Sequence, residues 1–167
     1  MAQKIEMVEM SRKLADHLKG FALLQGYCQE QFNKEATVVV EYSTAREIPD
    51  LETTPWIMIY NASKEEGMQK TAKYQCDFAV GVANDLDDRY LVTDSGALVL
   101  QAYKHTSDIV DIIQNALNTY RERYIPPNVF AVNFTGEVDQ GGRLWTAIVH
   151  CEWEIDQVLG YNNGFDF

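Results

Sequence analysis

The chain has 167 residues, 46% of them apolar and 23% charged, with a formal net charge of −11. This length suits one domain with a real core, and the composition excludes a disordered or fibrous chain. The acidity excludes a surface that grips nucleic acid through clustered Lys and Arg, and the longest apolar run, 56–60, is far too short to cross a membrane.

Residues 4–18 read as the first helix. Ile5, Val8, Ala15 and Leu18 share a stripe that Met7, Met10 and Leu14 widen. Gly20 and Gly26 interrupt the pattern up to residue 35, with room for a short turn at 21–24. Residues 37–43 are a β-branched strand with Val38, Val40 and Tyr42 on one face. A polar connection over 44–54 contains Pro49. Pro55 then opens a compact apolar strand at 56–60, suited to the interior of a sheet. Residues 63–69 are charged and contain Gly67, which reads as a turn or exposed loop. The strand at 73–83 alternates cleanly: Tyr74, Cys76, Phe78, Val80 and Val82 point one way, and Lys73, Gln75 and Asp77 the other.

Residues 84–88 are the densest acidic cluster. Its alternate carboxylates suggest a calcium loop, but the central Gly and final Glu of that pattern are missing, so a solvated turn is expected. A short strand follows at 89–93. Residues 97–103 scan as strand or helix; the reading adopted is a helix capped by Asp94 or Ser95 that runs into the next one. That helix, 108–124, carries Ile109, Ile112, Ile113, Ala116, Leu117 and Tyr120 on one face. Ser107 is its expected N-cap. Asp108 and Asp111 lie in its first turn and Arg121 and Arg123 in its last, and Pro126-Pro127 stops it. Residues 129–138 and 144–155 form a hairpin across Gly141-Gly142. On its second strand Trp145, Ala147, Val149, Cys151, Trp153 and Ile155 share one face. Leu144, Thr146, Ile148, His150, Glu152 and Glu154 share the other. The order predicts an α+β domain over 1–157, an antiparallel or mixed sheet with helices on one face, and a C-terminal arm at 158–167.

Candidates for chemistry are few. Cys28, Cys76 and Cys151 form no CxxC pair and suit buried free thiols in a reducing cytoplasm. The mixture of Lys4 with Glu6 and Glu9 is unlike a secretory signal. His17, His105 and His150 are isolated, with no metal-ligand spacing, and no nucleophile-elbow or phosphate-loop motif is present. His150, Glu152 and Glu154 share a strand face and could bind metal or relay protons, but the polar outer face of a sheet gives the same pattern. No catalytic, cofactor-binding or metal residue is assigned. Trp145 and Trp153, on the apolar strand face, suit core or subunit contact.

The arrangement resembles the bacteriophage tail terminator proteins. The likeness lies in the leading helix, in Pro55-Trp56-Ile57-Met58-Ile59-Tyr60, and in Tyr74-Gln75-Cys76-Asp77-Phe78-Ala79-Val80-Gly81-Val82. It continues through Ile109-Val110-Asp111-Ile112-Ile113-Gln114-Asn115-Ala116-Leu117 to Leu144-Trp145-Thr146-Ala147-Ile148-Val149, and covers roughly residues 4–156. The resemblance implies a structural virion protein without enzymatic activity or cofactor. It would form a homo-oligomeric ring, usually a hexamer, around the DNA path. Its partners would be tail-tube and head-completion proteins, and its location the virion and, during assembly, the host cytoplasm. In such a ring Asp85, Asp87 and Asp88 are the candidates to face the DNA path. The aromatic arm residues Tyr161, Phe165 and Phe167 are the candidates for contact with a neighbouring subunit or partner. Two other classes fit the composition: an acidic inhibitor or immunity protein that masks a basic partner, and a small enzyme with a dispersed site.

Overall fold

The structure, a computed structural model, describes residues 7–40, 51–65, 71–85, 87–119, 126–137 and 142–156. Helices α1 (Met7–Gly20) and α2 (Ala22–Phe32) precede strand β1 (Thr37–Val40) and a single 3₁₀ turn at Leu51–Thr53. Strands β2 (Trp56–Glu65), β3 (Thr71–Ala83), β4 (Tyr90–Val92) and β5 (Leu98–Leu100) lead into helix α3 (Gln101–Asn118). Strands β6 (Val129–Glu137) and β7 (Leu144–Asp156) close the chain. Five strands form one sheet in the order β1-β2-β3-β7-β6, and β4 and β5 form a separate two-stranded sheet. The fold is α+β, as predicted.

The main sheet is mixed. β1 runs parallel to β2, whereas every other neighbouring pair is antiparallel. Parallel pairing needs a long crossover between the strands, and the stretch from 41 to 55 is long enough to provide one.

The expected alternation of β3 is observed: Tyr74, Cys76, Phe78, Val80 and Val82 are buried on the helical side. They share one core with Met10, Leu14 and Leu18 of α1, which covers β1 and β2, and with Ile109, Ile113, Ala116 and Leu117 of α3, which covers β3. Ala147, Val149, Cys151 and Trp153 of β7 complete this layer. On the opposite face a smaller apolar cluster joins Trp56, Met58, Ala79 and Leu144. There Gly81 is required by close approach, since a Cβ at this position would lie 2.1 Å from Trp56 Cε2.

Several boundaries differ from the sequence reading. Residues 22–32 form a full helix through Gly26, not a short turn at 21–24. Burial of Leu24 and Cys28 offsets the roughly 1 kcal/mol that a mid-helix Gly costs. Gln25 ties this helix to both neighbours. Its Nε2 donates to the Leu18 and Lys19 carbonyls at the end of α1, and its Oε1 accepts from the Ala36 amide. β2 continues to Glu65 across a bulge at Asn61 (φ 51°), so 63–65 are strand and not loop.

The largest revision concerns α3. Residues 98–100 are strand, and the helix starts at Gln101 behind Leu100, which makes no side-chain cap. Ser107, Asp94 and Ser95 are therefore not its N-cap, and Asp108 and Asp111 lie mid-helix, not in its first turn. The expected run of helix into 108 is present, but it starts at Gln101 and not at 97, and two influences set that start. Ala102 and Thr106 extend the buried stripe back from Ile109, and the Gln101 amide donates to the Arg89 carbonyl. The helix ends at Asn118 with Thr119 as its C-cap, short of the expected 124, so Arg121 and Arg123 are not in its last turn and Pro126-Pro127 does not stop it; Tyr120, Arg121 and Arg123 themselves, Tyr42 of the first strand and the tip of the β6–β7 hairpin lie outside the described residues.

Ile113 is fully buried between α3 and the sheet. Ile113→Asp places an unpaired charge in this layer, at several kcal/mol, and should abolish the cooperative thermal transition. Ile113→Val should keep the fold at a cost of roughly 0.5–1.5 kcal/mol. A melting temperature for Ile113→Asp within a degree or two of wild type would contradict this packing.

Candidate functional site

Charged side chains converge on the outer face of the β3–β7 ladder. Asp77 of β3 and His150 of β7 are register partners, as are Gln75 and Glu152. His150 Nδ1 lies 2.6 Å from Asp77 Oδ1, and its Nε2 lies 3.0 Å from Glu152 Oε1. Glu152 also bonds Lys73 Nζ at 2.8 Å and accepts from Gln75 Nε2, while Asn61 donates to Asp77. The hydrogen bonds to Glu152 and then Asp77 raise the His150 pKa, and those from Lys73 and His150 lower that of Glu152. An imidazolium donating from both nitrogens satisfies this geometry and leaves no lone pair for a metal or a substrate proton.

The sequence trio of His150, Glu152 and Glu154 is thus only partly assembled. Glu154 is exposed, its amide bonds Asn128 Oδ1, and Asp77 takes the third place. Among the described residues no group of three or more His, Cys, Asp or Glu could hold a metal ion. Cross-strand pairing found Asp77, and only knowledge of the register could have revealed it.

A second polar node joins α2 to α3. The Tyr27 hydroxyl donates to Asp108 Oδ2 at 2.8 Å and lies 2.8 Å from His105 Nδ1. Lys104 Nζ sits 2.6 Å from the same carboxylate oxygen. Burial raises the Tyr27 pKa and lowers that of His105. Burial also pushes the Asp108 carboxyl upward, but the hydrogen bonds from Lys104 and Tyr27 outweigh it and hold the group low. His17 is another interhelical link, with Nε2 donating to the Ala116 carbonyl at 2.9 Å. These histidines brace helices.

The three cysteines are free and buried, as expected. Burial pushes the Cys28 thiol up to about 11 and also raises Cys76 and Cys151, which face each other across β3 and β7. Inert thiols of this kind are structural. Trp153 is wholly buried, whereas Trp145 is half-buried and meets the Tyr103 ring edge-on at 6.1 Å.

Asp85, Asp87 and Asp88 are exposed. Asp85 Oδ1 accepts from the amides of Asp87 and Asp88, in keeping with the solvated turn expected, but Asn84 is buried, with its Nδ2 donating to the Gly142 carbonyl. Tyr161, Phe165 and Phe167 lie outside the described residues.

The feature that sequence reading missed is apolar. Val92 is 70% exposed and Leu98 64%, with Tyr90 and Leu91 also exposed, all on the β4–β5 pair. Tyr103, Val129 and Val132 add exposed apolar surface on α3 and β6. The periodicity of such short strands carries no signal of which face is covered, so a buried partner and an open surface read alike. No protein-family model matches the chain, and no curated protein matches it.

The polar cluster has a pH consequence. A raised His150 pKa in the folded state adds stability that is fully present below the unfolded value of about 6.5. That stability is lost as the pH rises through the higher folded value. The ring is substantially exposed, so screening limits the effect to less than about 1 kcal/mol. Thermal melts from pH 5 to 9 should show this loss in wild type and its absence in His150→Gln. Parallel curves for the two proteins would refute the assignment.

Proposed function

We propose that this chain is a structural subunit of a phage or prophage tail, a tail-terminator-like protein that forms a ring, caps the tail tube and joins it to the head. The observation that carries this reading is the apolar surface of β4, β5 and β6, which a single copy leaves in water. Exposed apolar patches rimmed by polar residues mark protein contacts. The tail-terminator resemblance supplies the remainder: a ring, usually of six, with tail-tube and head-completion proteins as its neighbours.

The charge fits such a role. Six copies carry about −66 before counterions. A wall this acidic lets a duplex pass without sticking, and the exposed Asp85, Asp87 and Asp88 are the proposed lining of that path. Among the described residues no helix is long and apolar enough to cross a membrane, and the proposed location is the virion, with host cytoplasm during assembly. The proposed role of Tyr161, Phe165 and Phe167 is to pack on the neighbouring subunit or the next tail protein.

Light scattering after size exclusion should give a closed oligomer near six copies, favoured by salt that screens the like charges. Deletion of residues 160–167 should weaken that oligomer and leave the monomer's melt unchanged. A wild-type monomer at all protein and salt concentrations would sink the ring and favour an inhibitor that masks a basic partner. Duplex DNA should not bind the wild type at low salt, whereas replacing Asp85, Asp87 and Asp88 together by Lys should create salt-sensitive binding. Tight binding by the wild type would contradict the non-stick wall.

A further inference from the structure

The β4–β5 pair and the strand β6 are both incomplete. An isolated two-stranded hairpin is marginal in water, and this one exposes Tyr90, Leu91, Val92 and Leu98. β6 pairs with β7 on one side, and no strand among the described residues pairs with its other side. Open edges are ordinarily blunted with charge. Here charge is absent: residues 126–136 contain no charged side chain, residues 90–101 contain Asp94 alone, and the bulge of β6 lies at its far end, between Phe134 and Gly136, beyond Val132. In a chain of net charge −11, copies repel over most of their surface, so these neutral segments are where two copies can approach.

We propose that the β4–β5 hairpin of one copy packs onto the open β6 edge of the next copy and extends its five-stranded sheet. The inference rests on the ring reading and names the contact that builds the ring. Within one copy the two elements belong to separate sheets, so joining them takes a second copy. The surface offered differs from the surface accepted, and such head-to-tail contacts close into rings when the rotation allows. Edge hydrogen bonds supply affinity, and the apolar side chains fix the register. On β6 these are Phe130, Val132 and Phe134 on the helical side, where they partner Cys151, Val149 and Ala147 of β7. Val132 remains exposed there, so the helical layer leaves room at that edge.

Cysteine trapping tests the contact, and the native thiols do not compete because Cys28, Cys76 and Cys151 are buried. Under mild oxidation the Val92→Cys/Val132→Cys double variant should give a ladder of disulfide-linked multimers, while each single variant stays unlinked. As a second measurement, Val92→Lys and Val132→Glu should each weaken association at least about tenfold without lowering the melting temperature, and mixing the two should restore it. Dimers from Val132→Cys alone would place β6 against β6 across a two-fold axis and overturn the proposal. A double variant that stays unlinked while light scattering still reports a ring would overturn the hairpin contact and leave the ring reading standing. A monomeric wild type would overturn both.

Discussion

The fold depends on the β3–β7 ladder. The two strands pair from Thr71–Asp156 to Ala83–Leu144 without a register shift. Since side chains alternate with period two, this single register assigns every residue of both strands to a face. It places Phe78 beside Val149 and Val80 beside Ala147 under α3, and it sets Asp77 beside His150 on the other side. A slip of one residue would bury the charged set and expose the core. Apolar burial therefore enforces the position of the polar cluster.

The helices follow from that face. α3 lies across β3 and β7 with Ile109, Ile113 and Ala116 fully buried, and α1 covers the β1–β2 side through Met10, Leu14 and Leu18. Each such side chain contributes roughly 1.5–3 kcal/mol when fully buried. Polar links then fix the layer laterally. Tyr27, Lys104 and Asp108 tie α2 to α3, His17 ties α1 to the end of α3, and Gln25 joins α1 to the start of β1. The helical layer leaves Val132 of β6 partly open, and the larger apolar exposures, Val92 and Leu98, lie on the separate β4–β5 pair.

The hydrogen-bonded charged cluster and the exposed apolar strands are thereby separated in the molecule. The charged cluster of Asp77, His150, Glu152 and Lys73 is held together by its own hydrogen bonds, with both His150 nitrogens engaged by carboxylates, and it stabilises the outer sheet face. The neutral strands are the reverse: their backbone edges and apolar side chains are available, and no charge guards them.

The sequence by itself determined the elements whose periodicity is long and strong. The β3 alternation, the stripe of Ile109, Ile113, Ala116 and Leu117, the pairing of β6 with β7 and the exposure of Asp85, Asp87 and Asp88 all follow from local spacing and turn chemistry, because those patterns depend only on near neighbours in the chain. Tertiary structure alone decided what depends on distant residues. The helix through Gly26 required packing of Leu24 and Cys28, and the start of α3 at Gln101, with 98–100 as strand, required β4 pairing and the Arg89 carbonyl. The parallel β1–β2 pair required a crossover, and Asp77 met His150 only through strand register. The exposure of Val92 and Leu98 was invisible for the same reason: an apolar residue in a three-residue strand reads identically whether the rest of the fold covers it or leaves it for another molecule.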